Sequence, residues 1–379
     1  MEVELTGFKS AIRKGILLNV ADVHSEDVQL EAGALTENVT VEVHQLSIQT
    51  VGGEVAGLVT GEQVRELPLN GRNFLQLGTL MPGVSQGDTF NTKDRGLMSG
   101  IELSVSGSGL GGNMANRNRG GTNLFTGCII ALNPDAGKMA WYFQPMPHDT
   151  HDWDATETAV LIDAPIDGRP RKLLAQASRN GVFFVLDRVT GKALTSTEFV
   201  KTSWMLGFDE QGQPIPNPAK MPQESGALVS PDSGGAANWP APSVSPKTGL
   251  FYVNASRSFS MFYIYDPGSN PQGWGGTDRG GWSEAMTEAI DYTTGKVRWI
   301  HRWEGGARAG IVSTAGNLVF TGGSSNDLVA LDATTGDALW HARLNAPISN
   351  GPITYDLDGR QYLVIAAAES IWAFVLNDR

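Results

Sequence analysis

The chain has 379 residues, of which 41% are hydrophobic and 18% charged, with a formal net charge of -12 and a pI near 5.0. That balance describes a core-forming protein and excludes a disordered one. An acidic chain repels phosphate backbones and anionic lipid, so no nucleic-acid partner is expected.

Cys128 is the only cysteine, which rules out an internal disulfide and a C-x-x-C-H haem site. Met1 to Val20 lacks the charged-then-apolar order of a secretory signal. No run reaches 18 apolar residues, so no transmembrane helix is expected. Glycine is abundant, at 46 residues, and helical periodicity is scarce. Together these predict an all-β protein with many turns.

The chain changes character part-way. All ten Trp and all seven Tyr lie at or after Trp141. In the first part, Asn38 to Val43 alternates like a half-buried strand, and Gly61 to Leu67 has the pattern of a short helix stopped by Pro68. Residues 106–121 are rich in Gly, Ser and Asn and predict a flexible linker. They lack the G-K-S/T of a phosphate-cradling loop.

From about Gly121 onward an eleven-residue phrase recurs. It runs Ala131 to Trp141 (ALNPDAGKMAW), Ala289 to Trp299 (AIDYTTGKVRW) and Ala330 to Trp340 (ALDATTGDALW). Val185 to Lys192 (VLDRVTGK) matches without its Trp, and Ser245 to Tyr252 is a looser echo. The copies at 289 and 330 begin 41 residues apart, the length of a propeller blade. A strand closing on Asp or Asn, a Thr-Gly turn and a new strand make a hairpin. The Trp is expected to pack outward on the neighbouring blade. Each blade is predicted as a four-stranded antiparallel sheet.

Chemistry concentrates in Pro147 to Asp154, PHDTHDWD, with two histidines and three carboxylates. On an extended segment Asp152 and Asp154 leave the same face. Converging carboxylates suit a hard cation that takes oxygen ligands, and a carboxylate beside such an ion can accept a proton. His148, His151 and Asp152 also have the H-x-x-H-D spacing of a zinc or iron site.

Two resemblances add to this reading. "VRELPLNGRNFLQLGTLMPGVS" resembles the plug of TonB-dependent outer-membrane receptors of the Oar-like kind, and the residues before it resemble the end of a carboxypeptidase-regulatory-like β-sandwich. The docking phrase, "PHDTHDWD" and "RKLLAQASRNGVFFVLDRVTGK" together resemble the pyrroloquinoline-quinone (PQQ) dependent alcohol dehydrogenases. The resulting division is 1–45 sandwich end, 46–105 plug-like segment, 106–121 linker and 122–379 propeller blades.

The quinoprotein resemblance implies a partial quinoprotein-type β-propeller that oxidises an alcohol to an aldehyde. It implies PQQ as cofactor with Ca2+ or a lanthanide ion. Asp152 takes the place of the family's catalytic base and metal neighbour, and Asp154 the place of the second Asp that marks the lanthanide group. Arg179 matches the cation facing the quinone oxygens, and Asn238 with Trp239 a cofactor-contacting pair. His148 and His151 are expected to support the site as pH-sensitive neighbours. The resemblance further implies an external electron acceptor such as a cytochrome c, and a periplasmic or outer-membrane location. The family's early-blade Glu and Asn, its stacking Trp and its adjacent-cysteine disulfide have no counterpart in this sequence. A homo-oligomer or a partner covering open sheet edges is therefore expected. The alternative is a non-catalytic outer-envelope scaffold.

Overall fold

The computed structural model describes residues 121–376 apart from 125–126, 134–136, 156, 167, 265–276, 307–308, 324 and 349; before residue 121 it describes only short stretches within 2–42 and the strands at 84–86 and 103–105. The chain divides into two units, 1–91 with 100–109 and 92–99 with 110–379. In the first unit Glu2–Val3 (β1), Ser10–Lys14 (β2) and Asn38–Glu42 (β3) form one sheet, with β2 and β3 parallel. Val84–Gln86 (β4) pairs with Leu103–Val105 (β5). The helix expected at 61–67, the linker up to residue 120 and nearly all of the plug-like segment lie outside the described residues.

The second unit is a succession of antiparallel sheets. Ile129–Asn133 (β6) and Lys138–Phe143 (β7) form a hairpin. Val160–Ile166 (β8), Arg169–Ala177 (β9), Val182–Asp187 (β10) and Ala193–Glu198 (β11) make a four-stranded meander. Met205–Phe208 (β12) pairs with Pro214–Pro216 (β13). Ala227–Val229 (β14), Ser243–Ser245 (β15), Leu250–Tyr263 (β16), Thr277–Asp291 (β17) and Val297–Trp303 (β18) form the next sheet. There β15 borders the start of β16, and β14 borders its end. Val312–Ser313 (β19), Leu318–Gly322 (β20), Asp327–Asp332 (β21) and Ala338–Arg343 (β22) form another four-stranded meander. Ile353–Leu357 (β23), Arg360–Ala367 (β24) and Ser370–Val375 (β25) form a three-stranded sheet. The described residues are all-β, and the meanders β8–β11 and β19–β22 have the four antiparallel strands predicted for a blade, whereas the sheet of β14 to β18 has five strands and that of β23 to β25 three. Among the described residues no helix is long and apolar enough to cross a membrane.

Strand β10, VFFVLD, is buried at every position. A strand with a packed sheet on each face loses the polar–apolar alternation of a half-buried one. Phe183 and Val185 enter a core shared with Phe251, Val253 and Met286 of β16 and β17. Phe184 and Leu186 enter a second core with Phe143, Trp153 and Trp204. Residues one apart thus serve opposite blade interfaces.

The repeated phrase builds a common hairpin, although the last Trp, Trp340, is 41% exposed and meets Phe374 edge-on rather than a turn glycine. All four copies carry a register shift at its start, at Ala131/Leu132, Val185/Leu186, Ala289/Ile290 and Ala330/Leu331. In three of them the Asp carboxylate accepts the next turn's amides: Asp187 from Val189 and Thr190, Asp291 from Thr293 and Thr294, Asp332 from Thr334 and Thr335. The Trp of one blade then lies on the turn glycine of the next. A Cβ on Gly191 would sit 2.6 Å from the Trp141 ring, and one on Gly336 would sit 2.5 Å from Trp299. Trp141 Nε1 donates to Arg188 O at 3.0 Å, and Trp299 Nε1 donates to Ala333 O at 3.1 Å. The copy without a Trp uses threonines instead, because Thr195 and Thr197 face Gly295 and Thr197 Oγ1 donates to its carbonyl at 3.0 Å.

Gly336→Ala is therefore expected to cost roughly 2–4 kcal/mol. It adds a left-handed Cβ penalty at φ 78° to overpacking of the Trp299 ring. Urea unfolding monitored by tryptophan fluorescence checks it, and a loss under 1 kcal/mol would show that the docking is loose.

Candidate active site

The PHDTHDWD segment follows β7 and precedes β8. It folds around one buried carboxylate. Asp149 Oδ1 accepts from the His151 amide at 2.8 Å and Oδ2 from the Trp153 amide at 2.7 Å. His151 and Trp153 are each 2% exposed and stack at 4.4 Å between ring centroids. Trp153 Nε1 donates to Asp232 O at 2.7 Å. His151 Nε2 lies 2.9 Å from Lys220 O, so that nitrogen carries the proton.

The extended geometry expected for Asp152 and Asp154 is not what forms. Asp152 has φ 66° and the segment is not a strand. The left-handed step lets the rings on either side of Asp152 turn inward and stack. Asp149 is fully buried, and burial outweighs its two amide bonds, pushing its pKa to about 7; the nearby charges of Asp152 and Asp154 push in the same direction.

Arg179 sits in the turn between β9 and β10. Asn180 fixes that turn: its Nδ2 donates to Pro145 O at 3.0 Å, its Oδ1 accepts from the Val182 amide at 3.0 Å, and its carbonyl accepts from Trp204 Nε1 at 2.7 Å. Arg179 Nη1 reaches Asp154 Oδ2 at 3.3 Å, and Nη2 donates to Ser233 O at 2.6 Å. The Asp154 side chain is half exposed, so this pair contributes at most about 1 kcal/mol to stability. Gly235 closes over Arg179, where a Cβ would lie 2.7 Å from the Arg179 carbonyl.

Beneath Arg179 lies a cluster that the sequence reading did not single out. Glu157 and Gln176 are buried. Gln176 Oε1 and Arg179 Nε lack hydrogen-bond partners, and the Glu157 carboxylate faces the backbone amides of Glu157 and Arg179. Burial raises Glu157 to about 8, against the pull of the Arg179 charge. The available signal was a glutamine inside the apolar run LLAQA, because a polar residue in a buried strand needs a reason.

Asn238 and Trp239 lie further along the loop that holds Arg179. Asn238 Nδ2 donates to Gly234 O at 2.9 Å, and its Oδ1 accepts from the Trp239 amide at 2.8 Å. Both line a groove of about 720 Å3 bounded by Asn254, Trp282, Glu284 and Trp303. The structure thus joins Asp154 to Arg179 directly. It links Asp152, through its neighbour Trp153, and Arg179 to the groove loop at Asp232 and Ser233.

The two histidines sit in different surroundings. His148 Nδ1 lies 2.8 Å from Gly121 O and 3.2 Å from Asn123 Nδ2. His151 is engaged by Lys220, and burial lowers its pKa to about 4, so it stays neutral near pH 7 rather than sensing pH. Among the described residues no three His, Cys, Asp or Glu side chains converge as a metal cage. The zinc or iron reading of His148, His151 and Asp152 is thereby corrected: each ring faces a backbone carbonyl instead.

Residues 110–204 and 281–363 match the PQQ β-propeller domain of glucose, ethanol and alcohol dehydrogenases. Over part of its length the chain is related to the PQQ-dependent alcohol dehydrogenases. The 1-butanol dehydrogenase (cytochrome c) of Thauera butanivorans is 34% identical over 270 residues, 65% of this chain and 38% of that one. The solved quinohemoprotein alcohol dehydrogenase of Comamonas testosteroni superposes with a TM-score of 0.64 at 31% identity, covering 69% of this chain and 45% of that one. A europium-containing methanol dehydrogenase gives a TM-score of 0.61 at 28% identity, covering 67% of this chain and 46% of that one. The chain spans less than half the length of each of these quinoproteins. The receptor-plug resemblance of residues 1–105 gains no support from the comparisons.

A third buried acid lies near the arginines that pair with Glu284. Glu288 on β17 is raised to about 8 by burial, which the Arg257 and Arg302 charges only partly offset. An acid raised in the folded state from 4.5 stabilises fully below pH 4.5. Its contribution is lost as pH rises through about 8, because the unfolded chain ionises first. Glu288→Gln is expected to flatten the fall in stability between those values, and Glu157→Gln to do the same from the site. Urea midpoints at pH 5, 7 and 9 test this; parallel curves for variants and parent would refute it.

Proposed function

We propose that residues 122–379 carry a PQQ- and metal-dependent alcohol dehydrogenase site that oxidises an alcohol to an aldehyde. The observation that carries this reading is the Asp154–Arg179 contact beside Asp152, set over buried polar atoms without partners. The residues present fit the cofactor in kind. Asp152 and Asp154 are oxygen donors for Ca2+ or a lanthanide ion, a trivalent ion gaining most from the second carboxylate. Arg179, with Nε unpartnered, suits an electron-rich quinone oxygen. Asn238 offers an amide, and Trp239 an indole face.

Bound PQQ with its metal supplies a two-electron acceptor and a Lewis acid. The chain's own part is proton handling and placement. Asp152 would take the hydroxyl proton of the alcohol, and bound PQQ would supply the acceptor for the hydride of the carbinol carbon. Asp154 holds Arg179 in position, and Arg179 stabilises the negative charge that develops on the acceptor side. The stacked pair His151–Trp153 and the carboxylate of Asp149 keep Asp152 in its left-handed turn. An external acceptor such as a cytochrome c would take up the electrons, and the proposed location of the site is the periplasm or the outer membrane. We place residues 106–121 as a linker and residues 1–105 as a separate module.

The deciding experiment titrates PQQ into the chain with calcium and with lanthanum, following tryptophan quenching. Saturable, metal-dependent binding that is lost in Asp152→Ala is expected. Absence of binding with either metal overturns the reading and favours a scaffold without catalysis.

A further inference from the structure

The blade phrase occurs four times, and in one copy its docking surface faces solvent. By place in the phrase, Leu132 corresponds to Leu186, Ile290 and Leu331. Those three residues are each 0% exposed, whereas Leu132 is 67% exposed. Gly137 corresponds in the same way to Gly191, Gly295 and Gly336, which are covered by Trp or Thr side chains of the preceding sheet. Among the described residues nothing lies within 4 Å of a Cβ on Gly137. Cross-strand partners share a face, so Met139 lies with Leu132, and Ile130, two residues before Leu132, points the same way. Ile129, Trp141 and Phe143 turn to the other face and enter the core shared with β10. The outer face of the β6–β7 hairpin thus has the build of a blade interface.

The last sheet presents the matching face. Leu363, Ile365, Ala367 and Phe374 pack toward the preceding sheet, with Phe320 and Leu328. The opposite face carries Ile353, Tyr355, Tyr362, Ile371 and Val375. Tyr355 and Tyr362 stack there at 5.2 Å, and Ile353 and Ile371 are 60% and 79% exposed. A repeat that caps an array has a polar outer face. Both of these faces are apolar, the mark of an interaction surface. One is built to receive a preceding sheet and the other a following sheet, so the two are unlike and fit head to tail. We propose that the chain pairs with a second copy of itself, the β23–β25 face of each copy seated on the β6–β7 face of the other. Two such contacts close a ring. The chain covers 38%, 45% and 46% of three quinoprotein relatives, so two copies span nearly the length of one. The pairing rests on packing alone and stands whether or not PQQ binds.

The test is the mass of the full chain in solution, by size exclusion with light scattering at micromolar concentration. Twice the single-chain mass of 40.5 kDa is expected. Leu132→Glu and Ile371→Glu are each expected to halve that mass, because every contact uses both faces. An equimolar mixture of the two variants is expected to restore the doubled mass, since the intact face of each fits the intact face of the other. Leu132→Met is expected to stay paired. Both positions are exposed, and circular dichroism matching the parent confirms that the Glu variants fold. A parent of single mass, Glu variants that stay paired, or a mixture that does not re-pair overturns the proposal. Loss of pairing in only one Glu variant identifies a like-to-like contact and overturns the head-to-tail arrangement. Species that keep growing with concentration overturn the closed ring.

Discussion

Asp152→Asn in the PQQ- and metal-loaded chain is expected to lower kcat by roughly 10²–10⁴-fold, the usual worth of a positioned general base. Asn keeps the size of the side chain and its left-handed turn, a conformation Asn tolerates well. The stack of His151 on Trp153 and both amide bonds to Asp149 are independent of the Asp152 carboxylate. The substitution should therefore leave KM for the alcohol within a few-fold. A loss in kcat without a loss of folding or of metal-dependent PQQ binding isolates proton transfer. Turnover with an artificial electron acceptor measures it. Retention of more than a tenth of parental kcat would remove Asp152 from the role of base.

Trp153→Ala is expected to have the largest effect on stability, about 3–5 kcal/mol, as for a deeply buried aromatic. The ring packs with His151, tilts against Trp204 at 5.2 Å and meets Phe262 edge-on at 6.3 Å. Its Nε1 bond to Asp232 O ties the Asp152 turn to the loop that holds Arg179. Loss of the ring should loosen both halves of the site together. Trp153→Phe keeps most of the volume and loses the hydrogen bond, so a smaller cost of about 1–2 kcal/mol is expected. Urea unfolding of the three proteins gives both values. Equal stability of Trp153→Ala and the parent would show that the segment is not anchored through this ring.

Much of the fold was legible in the sequence because its determinants are local. The phrase ending in Asp, Thr-Gly and Trp specifies a hairpin within a few residues. Asp187, Asp291 and Asp332 close their own turns without help from distant parts of the chain. The 41-residue spacing carries the blade repeat in the same way. Asp154 and Arg179 were singled out by resemblance, and folding brings them to 3.3 Å.

What the sequence could not supply was long-range and electrostatic. Asp149 looked like one more acid in a cluster, yet its carboxylate organises the segment because burial leaves two amides no other acceptor. His151 looked like a pH-sensitive neighbour of the site, but a core position 69 residues from its carbonyl partner keeps it neutral. Glu157 and Gln176 carry no motif, and only the packing of β9 against the Asp154 loop places them under Arg179. The sequence by itself determined the blades, since a turn and its flanking strands are short-range choices of backbone. The tertiary structure alone decided which side chains lose water and face one another, and those losses set the charge states at the site.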